Sequence, residues 1–151
     1  NSIVTHLKGV YDMESVTVKC SIEKANFDID TMTPLSLILN ELISNAFKYA
    51  FVNKNKSLLE IRLRKENQGI FRLIIKDNGP GINKKNGSFS GSGLGLTLVY
   101  QLVKQLQGKI EQLNEEGCKY IIFFKDTKER KKVDCRKTFA ICRINLPAPG
   151  G

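Results

Sequence analysis

The period of the hydrophobic positions changes several times along the chain, and each change marks an element. Ile3, Leu7 and Val10, with Val4 and Tyr11 beside them, recur at helical spacing and predict an opening helix. Val16-Thr17-Val18-Lys19-Cys20-Ser21-Ile22 then alternates as a half-buried strand does, and Phe27-Asp28-Ile29 reads as a second, shorter strand. Thr33-Pro34 supplies a helix start, with Thr33 as the cap and Pro34 at the first helical position, where its missing N–H costs nothing. That helix is expected to run to about Phe51. Residues 59–64 and 70–76 read as strands joined through Asn67-Gln68-Gly69. A strongly apolar helix over residues 94–106 is expected to end at Gly108, and two final strands, 109–113 and 119–124, flank a Glu-Glu-Gly turn. Helices spread among antiparallel-looking strands predict an α+β fold. The expected form is a two-layer sandwich in which a mixed, mostly antiparallel sheet is covered by about three helices.

Composition narrows this picture without changing it. A chain of 151 residues, 41% hydrophobic and 26% charged, fits one ordinary domain with one core that needs no disulfide or metal to fold. The four cysteines, Cys20, Cys118, Cys135 and Cys142, form no C-x-x-C pair, and His6 is the only histidine, so a zinc site is not expected. Scattered thiols fit a reducing, cytoplasmic setting. No apolar run approaches membrane-spanning length, and no membrane contact by this domain is expected. The chain starts without Met, inside an amphipathic segment, which predicts a piece of a longer protein whose own membrane anchoring is open. More than half of the net charge of +9 falls between Lys125 and Arg143. We therefore divide the chain into a domain at 1–125, whose first helix (1–12) is a candidate linker, and a basic tail at 126–151. The tail is either a solvated, disordered end or carries an added edge strand, for which residues 138–144 are the candidate. No nucleic-acid partner is expected.

Three segments carry candidate chemistry. On the central helix Glu41, Asn45, Lys48 and Val52 share one direction, while Leu35, Leu39, Leu42, Ile43, Ala46 and Ala50 cluster on the other. The first stripe is either the solvated side of an amphipathic helix or a ligand face. An amide oxygen can coordinate Mg²⁺, a carboxylate can hold a metal-bound water or accept a proton, and an ammonium can meet phosphate. Tyr49, on the flank, can lay its ring along a base. Asp77-Asn78-Gly79-Pro80-Gly81 is either a turn or a purine-reading loop. In the second reading Asp77 accepts from an exocyclic amine, while Gly79 and Gly81 let the backbone approach the ring. Gly91-Ser92-Gly93-Leu94-Gly95-Leu96 sets successive backbone N–H groups beside a helix N-terminus, either a phosphate cradle or a hinge. Residues 82–90, with Lys84, Lys85 and Phe89, lie between the two glycine segments as a candidate lid.

Taken together and in this order, these segments resemble the Bergerat-fold ATPases, the GHKL family of gyrase, mismatch-repair ATPases and histidine kinases. Residues 39–50 resemble the N box, Asp77–Gly81 the first glycine box and Gly91–Leu96 the second; the likeness covers about residues 15–124. The short lid and the Leu-Ile-Leu-Asn-Glu-Leu wording most resemble the ATP-binding catalytic domain of sensor histidine kinases. The resemblance implies ATP and Mg²⁺ as cofactors, Glu41 and Asn45 as catalytic and metal-binding residues, and Asp77 as the adenine selector. It implies a nucleotide-binding set of Asn45, Lys48, Tyr49, Asp77, Gly79, Gly81, Ile82, Gly91, Ser92, Gly93, Leu94, Gly95, Leu96 and Cys118. Gly117-Cys118 departs from the family's usual Gly-Thr, and a thiol is a weaker donor. The surroundings of His6 do not resemble an acceptor box. The implied activity is γ-phosphoryl transfer to a histidine on a separate dimerisation domain, with a response regulator downstream. The rivals are an ATP hydrolase or anti-sigma serine kinase of the same fold, and a non-catalytic nucleotide-binding module.

Overall fold

Alternation of buried and more exposed residues builds the three central strands, and their buried halves meet two helices. The computed structural model describes residues 16–51, 56–81, 94–126 and 133–134. In chain order these form β1 (Val16–Ile22), β2 (Asn26–Phe27), α1 (Ile29–Asn45), a π-helical turn (Ala46–Ala50), β3 (Ser57–Lys65) and β4 (Ile70–Asp77). There follow α2 (Leu94–Gln105), β5 (Lys109–Asn114), β6 (Cys118–Lys125) and β7 (Val133–Asp134). The main sheet has the order β1-β3-β4-β6-β5. β1 and β3 run parallel because a helix lies between them in the chain, as a parallel crossover requires; the other neighbours are antiparallel. The fold is thus the expected α+β sandwich with a mixed sheet. Two α-helices, rather than about three, stand among the described residues, and the predicted opening helix lies outside them.

The core sits between the sheet and the helices. Leu59, Ile61 and Leu63 of β3, Leu73 of β4 and Ile122 of β6 are fully buried, facing Leu35, Ile38, Leu39, Leu42 and Ile43 of α1. All six residues expected on the apolar side of this helix are buried. At one end Phe27 meets Phe71 edge-on at 4.7 Å and Phe124 at 5.6 Å, and Phe71 stacks on Phe124 at 5.7 Å.

Two helix ends differ from the sequence expectation. Helix α1 begins a full turn before Thr33-Pro34, and Asp28, expected in a strand, is its cap: one carboxylate oxygen accepts from the Thr31 N–H at 2.9 Å. Phe27 before the cap and Met32 in the first turn are both buried, the positions of a hydrophobic staple. Pro34 therefore falls inside the helix, where it removes one ladder donor but turns its ring to the buried side. At the end of α2 the left-handed residue is Gln107, with φ 52°, not Gly108. Gly108 donates to the Val103 carbonyl at 2.9 Å, and a Cβ there would collide with the Phe123 carbonyl oxygen.

The tail contributes β7, which pairs antiparallel with β2, Phe27 opposite Val133. Residues 138–144, the expected extra strand, lie outside the described residues. Cys20 is held in a disulfide, against the expectation of unpaired thiols; Cys118 is the one free cysteine among the described residues. No described helix is long and apolar enough to cross a membrane.

Phe27 is fully buried and joins β2, β4 and β6 through its ring. Phe27→Ala is expected to cost about 3–5 kcal/mol in urea unfolding, the range for a large aromatic truncated in a core. A cost below 1 kcal/mol would contradict this packing.

Candidate functional site

Helix α1 supplies one wall of the site. Glu41 and Asn45, one turn apart, are half-buried, and neither side chain hydrogen-bonds to a described residue. Beyond Asn45 the α-helical ladder widens into the π turn, a form that occurs mostly as single turns. Its fully buried Phe47 packs edge-on against Phe51 at 5.5 Å and anchors it. The wider turn changes the angular phase. Lys48 and Tyr49 are exposed on the π turn. Val52 lies outside the described residues.

The end of β4 supplies the second wall. Asp77 is buried, and one of its carboxylate oxygens accepts from the Gly79 N–H at 2.8 Å and from the Cys118 N–H at 3.1 Å. The next residue ties β4 to its other neighbour. The Asn78 side chain accepts from the Leu58 N–H and donates to the Lys56 carbonyl, both at 2.9 Å, extending the ladder past the last strand residue. From sequence alone Asn78 is a turn residue or part of a purine-reading loop, and its tie to β3 is not predicted. The Asp-Asn-Gly wording was the available signal, since Asn side chains bond to nearby backbone.

The glycines allow close packing within the protein itself. A Cβ on Gly79 would lie 2.5 Å from the Ala50 Cβ, so this glycine lets the loop press against the π turn. Gly81, with φ 73°, is left-handed, and a Cβ there would meet the Asn114 amide oxygen. Gly117, with φ 125°, passes so close to the Asp77 carbonyl that no side chain fits. At the start of α2 a Cβ on Gly95 would strike the Glu41 carboxylate. Gly79 and Gly95 thus close on α1 and the π turn that follows it, at Glu41 and at Ala50, roughly 13 Å apart at 1.5 Å per residue.

Of the remaining candidates, Leu94 is 92% exposed at the start of α2, whereas Leu96 is buried and its side chain belongs to the core. Ile82, Gly91, Ser92 and Gly93, and the lid as a whole, lie outside the described residues. Cys118 reaches Asp77 through its backbone N–H, while its buried sulfur accepts from the Gln112 amide at 3.6 Å; the same amide donates to the Tyr120 hydroxyl at 2.9 Å. Burial pushes the Cys118 thiol above its ordinary value, and the nearby Asp77 charge adds to this, while hydrogen bonds from Gln112 and Tyr120 offset part of it. Burial likewise raises the Tyr120 phenol, with Cys118 adding to it. Gln112 and Tyr120 had no signal beyond strand alternation. No cluster of three metal-binding side chains occurs among the described residues.

Two outcomes are expected from this geometry. Asn78→Ala leaves the Leu58 N–H and Lys56 carbonyl without these partners and should cost about 1–3 kcal/mol in urea unfolding. A raised thiol pKa means that the folded state holds its proton more tightly than the unfolded chain. The contribution of Cys118 is therefore intact below the ordinary 9.0 and declines as pH rises through it. Stability measured against pH should fall above 9.0, and Cys118→Ser should flatten that fall.

Comparison with known proteins agrees with this arrangement. The family described as histidine kinase-, DNA gyrase B- and HSP90-like ATPase matches residues 31–128. Sensor histidine kinase GlnK of Bacillus subtilis is 30% identical over 112 residues, covering 64% of this chain and 26% of that protein. Sensor protein PhoQ of Escherichia coli O157:H7 is 23% identical over 122 residues, 73% of this chain and 24% of that protein. The chain thus spans about a quarter of the length of these relatives. Among solved structures, the histidine kinase domain of the Erythrobacter litoralis EL346 blue-light-activated histidine kinase superposes with a TM-score of 0.71 at 16% identity, covering 94% of this chain and 62% of that one. With Gly79 and Gly95 closing on an Asn-bearing helix and its π turn above a mixed sheet, the chain belongs to the histidine kinase-, DNA gyrase B- and HSP90-like ATPases, as an ATPase-type catalytic domain of the sensor histidine kinase kind.

Proposed function

We propose that this domain binds Mg²⁺-ATP between α1, the end of β4 and the start of α2, and passes the γ-phosphoryl group to a histidine on a separate dimerisation domain. The observation that carries the reading is the closure of Gly79 and Gly95 on α1 and the π turn that follows it. On this reading a purine, a ribose and a polyphosphate lie along the helix between the Gly79–Ala50 and Gly95–Glu41 contacts.

Each residue then has a role. Asp77, held by two backbone N–H groups, meets the adenine amine, and its fixed orientation lets it discriminate before the ligand arrives. The N-terminus of α2, which carries Gly95, receives phosphate oxygens through backbone N–H groups and the helix dipole. Exposed Lys48 offers an ammonium to phosphate, and Tyr49 a ring to the base. The Cys118 backbone N–H positions Asp77. The donor set suits magnesium: one carboxylate and one amide oxygen, Glu41 and Asn45, are hard ligands. Mg²⁺ usually takes few protein ligands and completes its shell with water and phosphate. When bound, the metal neutralises charge on the phosphates. Phosphoryl transfer demands mainly positioning and charge stabilisation, which such a site supplies with few reactive groups.

Calorimetric titration with ATP, with and without Mg²⁺, tests the site. Asp77→Asn should weaken nucleotide binding by about 10- to 100-fold, the worth of a hydrogen bond to a charged group, with the fold intact. Asn45→Ala should weaken magnesium-dependent binding more than binding in EDTA. No binding of nucleotide by the folded wild type would overturn the reading. Labelled ATP supplied together with the parent's dimerisation domain should label histidine; label on serine, or phosphate released to water, would favour the rival chemistries.

A further inference from the structure

The sheet has two faces, and among the described residues helices cover only one. On the other, strand register stacks side chains into rows. Lys19 of β1 stands beside Glu60 of β3, Glu60 beside Lys76 of β4, and Lys76 beside Lys119 of β6. In the next row Arg62 is followed by Ile74 and Ile121; in the one after, Arg64 faces Arg72, which faces Phe123. Like charges directly opposite one another destabilise a sheet, and this face carries two such pairs, Arg64 with Arg72 and Lys76 with Lys119.

Neighbouring carboxylates relieve only part of the repulsion. Glu60 pairs with Arg62, Glu66 with Arg72, and Glu115 lies 4.0 Å from Lys119. Lys19, Arg64 and Lys76 meet no carboxylate among the described residues, and Arg64 bonds instead to the Ser21 hydroxyl at 2.7 Å. A groove of about 420 Å³ runs through this region, with four cations, Lys19, Arg62, Arg64 and Arg72, and one carboxylate, Glu60, around Ile74. Ile121 and Phe123 continue the half-buried apolar centre.

Solubility calls for interspersed signs, not opposed cations, so these pairs are a cost that solvation does not explain. An apolar centre ringed by charge is the anatomy of an interface. We propose that this open face docks a protein partner through a rim of carboxylates around a small apolar patch. Charge complementarity selects that occupant, because acidic side chains would satisfy Lys19, Arg64 and Lys76 and separate the opposed pairs. Single-stranded nucleic acid fits less well, since its platforms stack bases on aromatic rings and this centre has one aromatic among aliphatics. A membrane fits less well too: among the described residues the exposed large hydrophobic ones, Ile29, Leu37, Tyr49, Leu94, Leu98 and Tyr100, all stand on α1, the π turn and α2, and none on this face.

The test uses the whole chain and a fluorescein-labelled peptide of glutamates flanking a central Leu-Leu pair. Binding should move the NMR signals of Ile74, Ile121 and Phe123. It should weaken about tenfold in the Arg64→Ser/Lys76→Ser double variant and stay unchanged in Lys104→Ser on α2. The double variant should melt at the same temperature as wild type or higher, because both opposed pairs are gone, which separates lost docking from lost folding. ATP titration of the same variant should be unaltered, keeping this surface distinct from the nucleotide site. Equal peptide affinity in the double variant, or shifts confined to the helices or to the tail beyond residue 126, would overturn the proposal. Preferential binding of phosphatidylglycerol vesicles or of oligo-dT to this face would overturn it in favour of those partners.

Discussion

One buried carboxylate oxygen joins the parts on which the site depends. Asp77 accepts from the Gly79 N–H of its own loop and the Cys118 N–H of the neighbouring strand, so the loop conformation and the β4–β6 junction are set by the same atom. Hydrogen bonds to an ionised acceptor are stronger than neutral ones, and these lie in a buried setting where water competes little. The arrangement needs Gly117, since any Cβ there would occupy the space of the Asp77 carbonyl. Asn78 completes the junction from the other side by bonding to the backbone at the start of β3. The end of β4 is thus tied to both neighbours before a ligand is present, which lowers the ordering cost of binding.

Helix α1 serves two purposes that pull its surface in opposite directions. Its apolar face fills the core, while Glu41 and Asn45 remain without hydrogen bonds to described residues on the other side. The π turn reconciles the two. By widening the last turn it keeps Phe47 and Ala50 in the core and brings Ala50 under Gly79. The glycines in turn act through the protein's own packing: two of them mark where a loop or a helix start presses on α1.

The same sheet explains the open face. Alternation puts every second residue outward, so a sheet covered on one side must present its other set of side chains elsewhere. Here that set includes opposed cations, a choice that the core does not require.

The strand pattern was legible because a half-buried strand writes its orientation into a two-residue period. Residues 16–22, 59–64, 70–76, 109–113 and 119–124 all fall within observed strands, and the buried residues of α1 followed from helical spacing. The order of N box, Asp-Asn-Gly-Pro-Gly and glycine-rich helix start likewise determined the family. Local signals failed where distant contacts decided. Thr33-Pro34 was a sound helix start by propensity, yet burial of Phe27 against β4 and β6 moved the start back to the Asp28 cap. The Cys118 bond that fixes Asp77 and the close approach of Gly79 to Ala50 depend on atoms remote in sequence. The sequence alone determined which residues face the core and which chemical groups are on offer, because periodicity and side-chain type are local properties. Only tertiary packing decided where α1 begins, and which backbone groups hold Asp77, because those outcomes depend on what lies across the fold.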